Sequence, residues 1–105
     1  VSQFTVYQNV NSRTKKLYPY LVDVQSELLE GLHTTVVIPL CRGTEIADKT
    51  ISKLCPIVKV NGQNYVVLTQ QMAGINRNQL GKRVPDLSAY RSFFITAIDF
   101  LITGF

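Results

Sequence analysis

The chain has 105 residues, a formal net charge of +4, 46% hydrophobic residues and only 17% charged ones. That length supports one domain, residues 1–105, able to bury a core without metal or disulfide staples. The apolar balance excludes a disordered chain, and so few charges leave apolar surface for a second subunit to cover. The basic residues are dispersed. Their tightest group, "SRTKK" with Arg13, Lys15 and Lys16, reads as a solvated loop as readily as a nucleic-acid patch.

In chain order, "QFTVYQ" alternates Phe4 and Val6 against Gln3, Thr5 and Tyr7, the period-2 pattern of a half-buried strand. A polar loop follows. "PYLVDVQS" alternates in the same way, setting Tyr20, Val22 and Val24 against Leu21, Asp23 and Gln25. "ELLEGLH" reads as a turn of helix or a hairpin loop, broken at Gly31. "TTVVIPL" is β-branched and continuous, a strand buried on both faces, with Pro39 marking its end at an edge or bulge. "RGTEIADKTISKLC" is polar and irregular. In "PIVKVNGQNYVVLT", Asn61-Gly62 between two β-rich runs predicts a two-residue hairpin of type I′. "QQMAGINRNQLGKRVP" is mixed, punctuated by Gly74 and Gly81.

From Asp86 the period becomes helical, with Asp86 or Ser88 as the expected N-cap and Gly104 as the stop. Tyr90, Phe94, Ala97, Ile98, Leu101 and Phe105 form one apolar stripe, widened by Phe93, Ile95, Phe100 and Ile102. A narrow polar line remains: Ser92, Thr96, Asp99 and Thr103. Solvated faces favour Lys and Glu. This line instead carries one charge among short hydroxyls, which suits hydrogen bonding to a partner at small desolvation cost. The sum is a mainly β, α+β domain: a small antiparallel barrel or twisted sheet with one C-terminal helix.

The catalytic inventory is thin. His33 is the single histidine, which excludes a multi-histidine metal site and reads as a solvated loop residue. Asp23, Glu27 and Glu30 are close enough to suggest a cation site, but Asp23 is better read as an exposed strand position or a partner of nearby backbone. Arg13 with Thr14, or Arg91 with Ser92, could serve a small ribonuclease; such pairs are common. Cys41 and Cys55 lack metal or redox spacing and read as buried thiols in a reducing compartment, with a bridge left open. No apolar run approaches the roughly 20 residues of a membrane span and no secretory signal opens the chain. A soluble, cytoplasmic protein is expected.

The ordered pieces "QFTVY", "LVDVQS" at 21–26, "VVIPL" at 36–40, "LCPIVKV", "LTQQMA" at 68–73, "DLS" at 86–88 and "AIDFL" before Gly104 together resemble the CcdB family, nearly end to end. The resemblance implies an SH3-like barrel with a C-terminal helix, a symmetric homodimer, and a non-enzymatic toxin without cofactor or metal. Such a toxin binds the A subunit of DNA gyrase in its DNA-cleaved state and is released by a CcdA antitoxin. It further implies gyrase contacts at Gln3, Phe4, Tyr7, Ser26, Leu28 and Leu29, at Ser92, Thr96 and Asp99, and at Thr103, Gly104 and Phe105. Antitoxin contacts fall on Arg13, Lys15 and Lys16, whose charge suits an acidic disordered peptide.

The family pattern ends Trp-Gly-Ile, its Trp stacking on a gyrase arginine. Here Thr103 stands in place of the Trp and Phe105 in place of the Ile. The cation–π contact, worth ~0.5–2 kcal/mol, is lost. The alternatives are a MazF-like endoribonuclease on the same fold and a homologue that binds antitoxin but not gyrase.

Overall fold

The computed structural model describes residues 3–43 and 49–104. Seven strands form one antiparallel sheet: β1 (Thr5–Asn9), β2 (Tyr20–Asp23), β3 (Thr34–Arg42), β4 (Ile57–Val60), β5 (Gln63–Val67), β6 (Ala73–Asn76) and β7 (Leu80–Asp86). Their order is β4-β5-β3-β2-β1-β7, with β6 also pairing to β3. A short helix α1 (Lys49–Leu54) follows β3 and the longer α2 (Arg91–Thr103) closes the fold. The ladder is an open, twisted sheet, the second of the two forms expected from the sequence.

The predicted hairpin is present. Asn61 and Gly62 both take positive φ, 52° and 81°, and Val60 faces Gln63 across the β4–β5 ladder. This is the turn whose twist matches that of its flanking strands.

The alternation read in the first two strands describes the ladder but not the burial. Phe4, Val6 and Val22 face the main core, yet Thr5, Tyr7, Leu21 and Asp23 on the opposite face are buried too. Asp23 is therefore not an exposed position; it is 3% accessible.

Pro39 does not end its strand. β3 runs on to Arg42 through a switch of partners, from β6 at residues 34–37 to β5 at residues 40–42. Pro39 sits in the gap between the two. Its carbonyl accepts from Leu68 N at 3.0 Å, and the missing N–H falls on the same side, where no strand asks for it.

The segment after β3 carries α1 rather than irregular chain throughout. The expected capping at Asp86 or Ser88 also gives way. Thr5 pairs with Asp86, and Leu87 N bonds Phe4 O at 2.8 Å, so β7 holds this stretch extended. A 3₁₀ turn over Ser88–Tyr90 follows, and α2 begins at Arg91 without a side-chain cap. Its other end is as predicted: Gly104 takes φ 80° and its N–H bonds Phe100 O at 2.9 Å. Phe94 and Ala97 anchor α2 in the core, with Tyr90 and Ile98 packed beside them. Both cysteines are free thiols, Cys55 buried and Cys41 partly so.

Candidate functional site

Two of the residue groups implied by the resemblance meet around Phe4. Phe4 takes φ 68°, a left-handed conformation that costs a bulky residue free energy unless its surroundings enforce it. Here Phe4 N donates to Asp23 O at 2.6 Å and Phe4 O accepts from Leu87 N. Its ring stacks on Phe94 with centroids 5.0 Å apart and planes 9° apart, while the Arg91 guanidinium lies over it at 5.5 Å. Phe4 is 1% accessible and Tyr7 8%. In this conformation neither offers a partner surface: Phe4 is enclosed between the sheet and α2, and Tyr7 is buried on the opposite face of β1. What they do is hold their neighbours.

The kink at Phe4 turns Gln3 out of the strand. Gln3 N donates to Glu27 Oε1 at 3.1 Å, Gln3 Nε2 donates to Val24 O at 2.9 Å, and Gln3 Oε1 accepts from Arg91 Nη1 at 2.9 Å. One side chain thus joins the start of the first strand, the segment after Asp23 and the first residue of α2. Neither Glu27 nor Arg91 was singled out for this role by its sequence context. Arg91 stood out only as a neighbour of Ser92, and it is spent on Gln3 and Phe4.

The segment after "DVQS" is a compact turn. Ser26 Oγ accepts from Leu28 N at 3.2 Å, starting a 3₁₀ turn over Glu27–Leu29. At its tip Leu28 is 94% exposed, with Leu29 and Leu32 about half exposed beside it. Three leucines held outward in so short a span present a compact apolar knob. Beneath them Asp23, the Glu27 and Glu30 side chains and Arg77 line a small polar recess. Asp23 accepts from Thr35 Oγ1 at 2.7 Å and Gln25 N at 3.1 Å, and lies 3.8 Å from Arg77 Nη1. These internal partners occupy the carboxylate, and no metal-binding group of three or more His, Cys, Asp or Glu occurs among the described residues.

The polar line on α2 is exposed along its length. Ser92 and Thr96 line a groove of ≈ 370 Å³ against α1, with Phe93, Lys53, Ser52 and Pro56. Lys53 Nζ sits 5.2 Å from the Phe100 ring centroid. Asp99 is exposed, and Thr103 Oγ1 donates to Asp99 O at 2.7 Å. The Thr103 hydroxyl is turned back onto its own helix. Gly104 is exposed; Phe105 lies outside the described residues. Phe93 (56%) and Ile102 (71%) stand well out of the core.

Arg13, Lys15 and Lys16 are exposed in the β1–β2 loop. That loop is shaped by Asn9 Nδ2, which donates to Thr14 Oγ1 and Tyr18 O, and by Asn11 Oδ1, which accepts from Arg13 N. It closes one end of the β1–β2 hairpin, whereas Gln3 and Ser26 lie past the other end. The structure thus separates the basic loop from the Gln3–Ser26 cluster. His33 is exposed, as expected.

Comparison with known proteins agrees with this architecture. Among solved structures, one described as an endoribonuclease in complex with its cognate antitoxin from mycobacterial species matches with a TM-score of 0.73. The match covers 97% of this chain and 94% of that one at 12% identity, a likeness of fold. The family model for CcdB protein matches residues 3–104, essentially the whole chain, and the chain belongs to the CcdB family.

Proposed function

We propose that this CcdB-family chain is the toxin of a type II toxin–antitoxin pair, and that it acts without catalysis by gripping the A subunit of DNA gyrase. The trapped target would be the DNA-cleaved complex, and a CcdA-like antitoxin would release it in the cytoplasm. Family membership supports the broad class. The observation that carries the finer reading is the Leu28 knob, 94% exposed on a hydrogen-bonded turn and tied through Gln3 to the start of α2. An exposed leucine is common; a fixed group of three beside a polar helix face fits a protein target better than solvent.

In this reading Leu28 and Leu29 supply apolar contact, and Ser92, Thr96 and Asp99 supply hydrogen bonds. Thr103, Gly104 and Phe105 continue the contact from the last residue of α2 onward. Phe93 and Ile102 fit a second copy of the chain, giving a homodimer. The basic loop of Arg13, Lys15 and Lys16 attracts the acidic antitoxin from the far end of the β1–β2 hairpin, which leaves both partners their own footing.

Deletion of residues 103–105 tests the reading. The truncated protein should fold and bind antitoxin but no longer arrest growth or pull down the breakage–reunion domain of gyrase A. Undiminished growth arrest would overturn it. Defined cleavage products from pure protein and RNA would point to the endoribonuclease alternative. A full-length protein that binds antitoxin but never gyrase would point to an antitoxin-binding homologue.

A further inference from the structure

The Leu28 knob is carried by a turn with little of its own to hold it. Its internal bonds are short-range: Leu29 N to Ser26 O, Glu30 N to Glu27 O and Leu32 N to Leu29 O. No residue from Ser26 to Thr34 is buried. A solvated span of this kind, without apolar anchorage, should fray. A residue far along the chain prevents this. Arg77 Nε donates to Leu32 O at 2.6 Å, Arg77 Nη2 donates to Leu29 O at 3.3 Å, and Arg77 N donates to His33 O at 2.9 Å. Arg77 Nη1 is 3.8 Å from the Asp23 carboxylate, which its bonds to Thr35 and Gln25 hold in place.

We infer that Arg77 is the positioning residue of the contact turn, a planar fork that ties the carbonyls of Leu29 and Leu32 to the buried Asp23 and so presents Leu28 to a protein target. The chemistry requires arginine. Its donors diverge in one rigid plane, whereas lysine offers a single point of charge that cannot span two carbonyls and a carboxylate. Gln3 holds the entry of the turn through Glu27 and Arg77 holds its exit. With both in place the knob is ordered before a partner arrives, so binding does not have to order it. The inference rests on the proposed gyrase contact for its consequence, but not for its geometry.

The test is Arg77→Lys in the full chain, read in two ways. Amide exchange should accelerate at Leu29, Glu30 and Leu32 while the β4–β5 amides keep their protection; unchanged exchange at the turn overturns the inference. In a binding cycle with gyrase A, Leu28→Ala should weaken binding by about tenfold in the parent and by roughly twofold or less in the Arg77→Lys background. Equal losses in both backgrounds also overturn it, because a merely structural arginine would leave the two effects additive. If the parent does not bind gyrase A at all, the functional reading fails, and the exchange result still decides whether Arg77 holds the turn. Should Arg77→Lys not fold, the parent supplies the measurement. The Arg77 Nε–H should exchange slowly and show a coupling to the Leu32 carbonyl, and a freely exchanging Nε–H would refute the clamp.

Discussion

The hairpin at Asn61–Gly62 and the turn at Ser26–Leu29 are both short, exposed reversals, and they are held in opposite ways. The hairpin is held by its own two residues, whose positive φ angles set the register of β4 on β5. The turn is held from outside, by Gln3 on one flank and by Arg77, 45 and 48 residues away from its two bonded carbonyls, on the other. The hairpin's tip is polar, while the turn's tip is leucine. A reversal that only links two strands can be specified locally. One that must present apolar side chains to a partner gains from support that reaches it through the fold.

Gly62→Val is the most severe test of the hairpin half of this contrast. No atom lies within 4 Å of the position a Cβ would take, so the cost comes from the left-handed backbone alone, about 1–2 kcal/mol. Thermal unfolding should register it, with partner binding per folded molecule unchanged. Ser26→Ala should do the reverse. Losing the bond to Leu28 N should cost about 0.5–1 kcal/mol or less at so exposed a turn, while partner affinity falls by more than the change in melting temperature would suggest. If Ser26→Ala left affinity untouched, the turn would not be a contact element.

The smallest expected effect is alkaline. Burial pushes the Tyr7 phenol above its ordinary 10.0; Arg83 and then Arg77 oppose that shift, and Asp23 adds to it. Burial likewise raises the Cys55 thiol above 9.0, opposed by a hydrogen bond from the Thr69 backbone, while Cys55 Sγ itself donates to Gln70 Oε1 at 3.1 Å. In both cases the neutral form is favoured in the fold, so the unfolded chain ionises first. Stability is therefore complete below pH 9 and falls as pH rises through 9 and 10 toward the raised folded values. Cys55 precedes the hairpin strands, and Tyr7 lies within the field of the Asp23–Arg77 pair. Unfolding measured against pH for Cys55→Ala and Tyr7→Phe should each show a shallower alkaline decline than the parent, dividing the effect between the two regions.

Much of the candidate site was legible along the chain because it depends on helical or strand spacing. Ser92, Thr96, Asp99 and Thr103 share a face by periodicity, and the structure finds that face exposed. Ser26, Leu28 and Leu29 follow a strand whose end is marked by its composition. The burial of Tyr7, on the face opposite Phe4 and Val6, was not legible. A period of two assigns faces, but cannot say that a twisted sheet will cover both. Arg77 gave no signal, since nothing in "NRNQ" distinguishes it from a solvated loop arginine. Its meaning comes from carbonyls contributed by residues 29 and 32.

What the sequence by itself determined was whatever backbone chemistry or spacing decides nearby: the Asn61–Gly62 reversal, the Gly104 stop and the amphipathic register of α2. Only the tertiary structure decided which apolar residues became core and which stayed outside. Phe94 and Phe93 are neighbours on one helix, yet the first stacks on Phe4 and the second is left exposed. Only the fold, too, set Arg77 beneath the Leu28 turn. Hydrogen bonds between residues remote in sequence depend on how strands stack. That is a property of the whole sheet and of no single stretch within it.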